Sequence, residues 1–331
     1  MDRKADNSLT FGPASSAELP AALELLFGGR TEPQRAAQIA MAKEEMEKSP
    51  SDEQLVVVAR RGSALAAVIW VQIRAGRVAS LWPPGLAAGE PATTAAAIID
   101  LAMAKAAKCG VRLIQTLLET EAGPQAEWLR QCGFKHIADL LYLVSLPEVF
   151  PALPPESELV FETLGKAGEM GISEIQMKRL SGIIGRTYID TQDCPAVHGL
   201  RTVEDVVATY RAVGTFNPAR WFFVRHKNTD IGCLILANHV LERNCELVYM
   251  GIVPEARGNG RGVQIVRYAQ WIAGQSEDSE KNSGENLREK VERMVLGVDA
   301  ANSPAIATYV AAGFQTWDRR SVFLREITEN I

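Results

Sequence analysis

The sequence predicts an α/β protein of two tandem domains, each a mixed and mostly antiparallel sheet flanked by helices. Three observations carry this. Strand-like and helix-like apolar periodicities follow one another in the same order in both halves of the 331 residues. A stretch containing Pro147, Pro151, Pro154 and Pro155 separates the halves, and prolines that close-set rule out a helix across it. Finally, "WLRQCGFKHIADLLYLV" parallels "TYVAAGFQTWDRRSVFL" with Gly133 on Gly313, and "LWPPG" parallels "IVPEA" with Pro83 on Pro254, which reads as an internal duplication. The domains are therefore placed at 1–150 and 151–331.

The elements follow in order. In the first half, strands are expected at Ser8–Pro13, Gln54–Arg61, Ala64–Arg74, Arg77–Trp82, Arg112–Leu118 and Lys135–Leu146. Helices are expected at Ala17–Phe27, Pro33–Lys48, Ala92–Lys108 and Pro124–Gln131. In the second half, the strands are Glu158–Leu164, Arg220–Arg225, Asp230–His239, Cys245–Val253, Arg293–Val298 and Phe314–Glu326. The helices there are Ser173–Arg186, Val203–Val213, a helix after a glycine-rich loop, and Pro304–Ala311. The polar insert "GQSEDSEKNSGENLREK" has almost no apolar residues and is expected to be a mobile surface loop.

Composition narrows the function. The hydrophobic share is 47% and the charged share 23%, near globular averages, which excludes a disordered or fibrous chain. The first residues, "MDRKADNSLTF", lack an apolar signal core, and no apolar run approaches bilayer-spanning length. A cytoplasmic protein with no membrane partner is expected. Five cysteines, Cys109, Cys132, Cys194, Cys233 and Cys245, show no C-x-x-C spacing and read as free thiols in a reducing compartment. A net charge of -5 without a basic stripe argues against a nucleic-acid partner. His226 and His239 lack partners at metal or triad spacing, so both read as structural or surface residues and no metal is expected.

The chemistry concentrates in "YMGIVPEARGNGRGVQIVRYAQW". Gly258, Gly260 and Gly262 bare the backbone of a turn that leads from a strand straight into a helix. Consecutive N–H groups of Gly258, Asn259, Gly260, Arg261, Gly262 and Val263 then line one concavity, where the helix N-terminus adds partial positive charge. Arg257 and Arg261 add donors suited to a diphosphate. A Walker lysine and a Gly-x-Gly-x-x-Gly spacing are both absent.

This Val-Pro-x-x-Arg-x-x-Gly-x-Gly pattern, followed by "DAANSPAIATYVAAGF", resembles the GNAT superfamily of acetyltransferases. The chain then reads as two tandem GNAT-like domains, an arrangement similar to that of mycothiol synthase. The resemblance implies acetyl-coenzyme A as co-substrate, with Arg257, Gly260 and Gly262 in the pyrophosphate signature and Asn302 as a further cofactor contact. It implies that Gly251, Ile252 and Val253 contact pantetheine through their backbone, on a strand splayed from its neighbour. A phenol of ordinary pKa about 10 stays protonated at neutral pH, so Tyr309 is the expected acid for the departing thiolate. Glu246, a carboxylate at the start of an otherwise apolar strand, is the expected base toward a primary amine. Asp299 and Asp190 are second choices for the base. Tyr188, Asp190, Asp193 and His198 are candidates to meet a cationic amine.

The first half departs from the pattern. It has "PPGLAAGEPATTAAAII" at the loop, Leu129 in place of Tyr309 and Ala122 in place of Asn302. It reads as a degenerate domain without this cofactor site. Two functions stay open: an N-acetyltransferase of small-molecule amines, and a non-catalytic acyl-coenzyme A sensor.

Overall fold

The computed structural model describes residues 8–166, 169, 171–275 and 291–327. Most of the polar insert expected to be a mobile loop lies outside them. In chain order the first half forms β1 (Leu9–Pro13), α1 (Leu19–Leu26), α2 (Glu32–Lys48), β2 (Gln54–Arg61), β3 (Ala64–Arg74), β4 (Val78–Leu86), α3 (Ala92–Lys108), β5 (Leu113–Leu118), α4 (Pro124–Gln131) and β6 (Lys135–Ser145). The second forms β7 (Val160–Thr163), α5 (Glu174–Thr187), α6 (Val203–Arg211), β8 (Trp221–His226), β9 (Thr229–His239), β10 (Asn244–Ile252), α7 (Arg261–Gly274), β11 (Arg293–Asp299), α8 (Ser303–Ala311) and β12 (Gln315–Glu326).

These elements make a mixed α/β fold of two compact units, but the units do not divide at residue 150. Unit 1 comprises Met1–Ile137 with Arg320–Ile331, and unit 2 comprises Ala138–Arg319. The reason is an exchange of final strands. Ser321–Glu326 of β12 pair antiparallel with Leu118–Leu113 of β5, completing the order β1-β2-β3-β4-β5-β12 in unit 1. Residues Leu140–Ser145 of β6 pair with Asp299–Met294 of β11, completing β6-β11-β10-β9-β8-β7 in unit 2. The proline-rich stretch therefore lies inside unit 2, where Arg267 donates to the Val149 carbonyl at 3.2 Å and Phe150 packs against the core.

Each sheet is covered on both faces, which explains why its central strands are apolar almost throughout. In unit 1, Val57, Ile69 and Val71 pack with Ile98, Ile99 and Ala102 of α3. The alternate residues Val58, Val68 and Trp70 pack with Ala22, Leu23 and Leu26 of α1, as a two-residue side-chain period requires. Unit 2 repeats this. Phe222, Val224, Leu234 and Leu236 meet Ile265, Val266 and Ala269 of α7, whereas Trp221, Phe223, Cys233 and Ile235 meet Leu180, Ile183 and Ile184 of α5. Ser173 starts α5 by accepting the Gln176 amide, and Thr202 starts α6 by accepting the Asp205 amide, as polar residues at helix starts do.

The register revises the internal alignment. Val68 pairs with Gly85 and Cys233 pairs with Gly251, so Gly85, not Pro83, marks the place near the loop. Pro83 and Pro84 lie within β4, opposite the break between Val68 and Trp70. A bulge tolerates them because the ladder is already interrupted there. By the same register Ser80, opposite Gln72, stands where Glu246 stands opposite Ala237.

Candidate active site

The site in unit 2 begins with a fork between two parallel strands. β10 pairs with β11 only from Asn244–Arg293 to Glu246–Val295. Beyond that rung β10 continues along β9 to Ile252, while β11 continues along β6 to Asp299. The ladder between β10 and β9 shifts between Leu247 and Tyr249, leaving Val248 as an extra residue, and a bulge of this kind bends a strand away from its neighbour.

Backbone direction inside the fork corrects one expectation. The Val253 amide donates to the Ile231 carbonyl of β9 at 2.9 Å, so Val253 and, two residues back, Gly251 face β9. Because strand amides alternate sides, those of Met250 and Ile252 face the open side. Gly251 has a different reason to be glycine, since a Cβ there would lie 2.7 Å from Thr187 Cβ and from the Tyr249 hydroxyl.

Past the fork lies the glycine turn. Gly258 (φ 78°) and Gly260 (φ 69°) are left-handed, a conformation that disfavours a Cβ on steric grounds. No atom lies within 4 Å of a Cβ built at either, so backbone conformation, not crowding, calls for glycine. Among the described residues, the amides of Gly258, Asn259 and Gly260 donate to no backbone carbonyl. Gly260 makes no side-chain cap on α7, so the helix opens with its N–H groups uncapped, the arrangement that favours an anion. Gly262 lets α7 meet α8, because a Cβ there would lie 3.0 Å from Thr308 Cγ2. Val263 follows in the first turn, half-buried.

The two arginines are engaged elsewhere, against the expectation that their guanidinium groups await a diphosphate. Arg257 donates to four carbonyls: Ile252 at 2.9 Å, Asp190 at 3.0 Å, Thr187 at 2.8 Å and Ile189 at 2.9 Å. It ties the C-terminal end of α5 to the end of β10. Arg261 pairs with Glu158 at 3.0 Å and donates to the Ala256 carbonyl at 3.2 Å. Asn259 donates its amide to the Arg257 carbonyl at 3.0 Å. Glu158 thus offsets the charge of Arg261, whereas Arg257, bonded to neutral carbonyls, keeps its charge beside the bare amides of the turn. Asn302 is likewise engaged: its side-chain oxygen accepts the Ala305 amide at 3.2 Å, capping α8.

Tyr309 lies on α8, 6% exposed, within the core cluster beside Phe314. Among the described residues its hydroxyl makes no hydrogen bond. Burial pushes the phenol up from its ordinary range, and the charge of Asp193 adds to the shift. It stays protonated at any physiological pH.

Asp193 belongs to the loop between α5 and α6, which the structure folds against the end of β11. Its Oδ1 accepts the Asp299 amide at 3.3 Å, and Asp299 Oδ2 accepts the Cys194 amide at 3.0 Å. Desolvation raises the Asp193 carboxyl; the hydrogen bond from the Asp299 amide works against that, and the Asp299 charge adds a smaller upward effect, although the residue remains open to solvent. Tyr188 stacks on His198 at 5.9 Å and shares a 3.0 Å hydrogen bond with Tyr210. Tyr188, Asp193 and His198 are thus brought together, and Asp190 contributes only its carbonyl to Arg257.

Glu246 occupies the last paired rung before the fork opens. Its Oε2 lies 2.8 Å from Nε2 of His239, a carboxylate partner that the sequence spacing did not show for this histidine. The antiparallel turn from β9 to β10 creates this pair, with Asn244 opposite His239 and Glu246 opposite Ala237. The carboxylate raises the imidazole above its usual range, against the opposing effect of burial.

Unit 1 lacks these parts. Its loop from β4 to α3 runs over residues 87–91, against 253–260 in unit 2. Glu90 stands at the start of α3, bonded to Arg61 at 2.7 Å and to the Thr94 hydroxyl at 2.8 Å. Those partners hold its carboxyl below the usual range, so a fixed negative charge sits where unit 2 has bare amides. A Cβ on Gly85 would lie 2.2 Å from the Leu25 carbonyl, which shows α1 pressed onto β4 at that point.

Among the described residues no group of three or more His, Cys, Asp or Glu is placed to hold a metal ion, and no helix is long and apolar enough to cross a membrane.

No protein-family model matches the chain, and a search of curated proteins found no match. Solved structures do match. A GCN5-related N-acetyltransferase from Sphaerobacter thermophilus is 13% identical, with TM-score 0.58 over 98% of this chain and 97% of its own. The GCN5-related glucosamine N-acetyltransferase region of a fungal multi-domain GH3 β-N-acetylglucosaminidase is 14% identical, with TM-score 0.59 over 98% of this chain and 39% of its own. The chain has the GCN5-related N-acetyltransferase fold.

Proposed function

We propose that unit 2 moves an acetyl group from acetyl-coenzyme A to a primary amine of a small molecule. The observation that carries this reading is the uncapped run of amides at Gly258–Gly262, set beside a fork between β10 and β11. Such amides suit a diphosphate, and the fork offers the Met250 and Ile252 amides to an extended pantetheine. When bound, acetyl-coenzyme A supplies an activated acyl thioester. The protein's own residues do the rest. Glu246 takes a proton from the incoming amine, the Val248 bulge presents its backbone to the thioester oxygen, and Tyr309 gives a proton to sulfur. Asp193, on the loop facing Tyr309, holds the cationic form of the amine. Unit 1 keeps the fold without the donor site, and the protein acts in the cytoplasm.

A thiol-release assay over a panel of amines tests the reading. Glucosamine belongs in the panel because the fungal neighbour is described as a glucosamine N-acetyltransferase. Tyr309→Phe should lower kcat by about 10²-fold or more while leaving acetyl-coenzyme A affinity unchanged. Tight binding of acetyl-coenzyme A without turnover on any amine would instead identify a sensor.

A further inference from the structure

We propose that His239 and Glu246 act as one proton acceptor, in which His239 positions the Glu246 carboxylate and receives the proton that the amine loses. The inference rests on the acetyl-transfer reading and goes beyond it by naming where the proton ends. The geometry carries it: Nε2 and Oε2 lie 2.8 Å apart, and both side chains are partly open to solvent, at 26% and 33% exposure. Glu246 stands on the last rung shared by β10 and β11, so the carboxylate is at the inner end of the fork and the imidazole lies one step outward along β9.

The proton balance is simple. The ammonium N–H bond breaks as its proton passes to the Glu246 oxygen that does not accept Nε2–H, and exchange through water then carries it to the vacant Nδ1 of the part-exposed ring, forming an imidazolium held by a carboxylate. The freed lone pair attacks the thioester carbon. As the amide bond forms and the carbon–sulfur bond breaks, a second nitrogen proton replaces the one that Tyr309 gives to sulfur. One proton per turnover remains on the pair, and the imidazolium releases it to water. A lone carboxylate, with an ordinary pKa near 4.3, is a weak base for this task at neutral pH. A carboxylate coupled to imidazole accepts a proton with the affinity of the pair.

The other charged groups around His239 do not replace Glu246 as its partner. Glu242, in the turn, adds a smaller upward effect. Arg243 is paired with Glu292, and Arg293 begins β11 opposite Asn244.

Two measurements on the full chain test the pair. With imidazole Cε1 labelled, the NMR titration should show one of the four histidines with a midpoint above about 6.5. That resonance should disappear in His239→Gln and return to the ordinary range in Glu246→Gln. With the best amine of the panel, the low-pH limb of kcat should follow the same midpoint. In His239→Gln, which keeps a hydrogen-bond donor but cannot titrate, the limb should move to the carboxylate range and kcat at pH 8 should fall about tenfold or more, with KM for acetyl-coenzyme A unchanged. A turning-over enzyme whose limb ignores His239→Gln overturns the pair while leaving acetyl transfer intact. A coupled titration without turnover on any amine overturns acetyl transfer, and the pair's role as proton acceptor with it.

Discussion

Replacing Arg257 by alanine separates two roles that the motif alone does not distinguish. As a ligand of the diphosphate, the guanidinium would affect binding and leave stability nearly untouched. The structure instead gives it four carbonyl acceptors at 2.8–3.0 Å. Two of these bonds, to Ile252 and Thr187, are partly buried, and the other two are exposed. Water replaces the exposed pair at little cost. Each partly buried bond from a charged donor contributes about 1.5 kcal/mol at the low end of its range, so Arg257→Ala should destabilise unit 2 by about 3 kcal/mol. For a unit of this size that is a fall of about 6–12 °C in Tm. Scanning calorimetry of the free protein reads it directly, and titration calorimetry gives the accompanying change in acetyl-coenzyme A affinity. An unchanged Tm with affinity lost would refute the assignment of Arg257 as a tie between α5 and β10.

Gly260 tests the anion turn. With φ 69° and no atom within 4 Å of a built Cβ, Gly260→Ala should cost about 1 kcal/mol in the left-handed backbone. Gly260→Asp should weaken acetyl-coenzyme A by at least a further tenfold at low salt by placing like charge against the diphosphate; equal affinities for the two variants by calorimetry would count against the turn. The strand exchange predicts that neither 1–150 nor 151–331 folds cooperatively alone. The first loses Val322, Phe323 and Leu324, all buried, at about 1.5–3 kcal/mol each, which rivals the total stability of a domain; a cooperative melt of the isolated fragment would contradict it. Arg179 bonds Asp230 and Glu162 and holds both carboxyls low. Their contribution is present above their unfolded values near 4 and is lost as pH falls through the depressed ones. Denaturant titrations from pH 7 to pH 3 should therefore show wild type losing more stability than Arg179→Met, and equal losses would exclude the linkage.

The parts that were legible in the sequence are those set by local chemistry. The turn from β10 to α7 announces itself because two left-handed positions, Gly258 and Gly260, sit between an apolar strand and an amphipathic helix. The two-faced burial of β3 and β9 shows as unbroken apolar runs. The destinations of β6 and β12 did not show, because both strands follow the same kind of motif and pattern cannot say which sheet receives each. The role of Arg257 was hidden because its acceptors on α5 and the following loop arrive by tertiary folding. Pro83 and Pro84 misled the alignment by resembling the Val-Pro after β10, when they occupy a bulge. His239 was recoverable in principle: reading β9 and β10 as a hairpin joined by Val240–Arg243 places it near Glu246 on the facing strand.

The central claim is that the bare amides at the start of α7 hold the linked phosphates of acetyl-coenzyme A. A crystal structure of the protein grown with acetyl-coenzyme A tests it most directly. The account predicts diphosphate oxygens within about 3 Å of the backbone nitrogens of Gly258, Gly260 and Gly262, with the thioester lying in the fork beside Val248. Phosphates bound at the start of α3 in unit 1, or a turn left empty at saturating ligand, would contradict it.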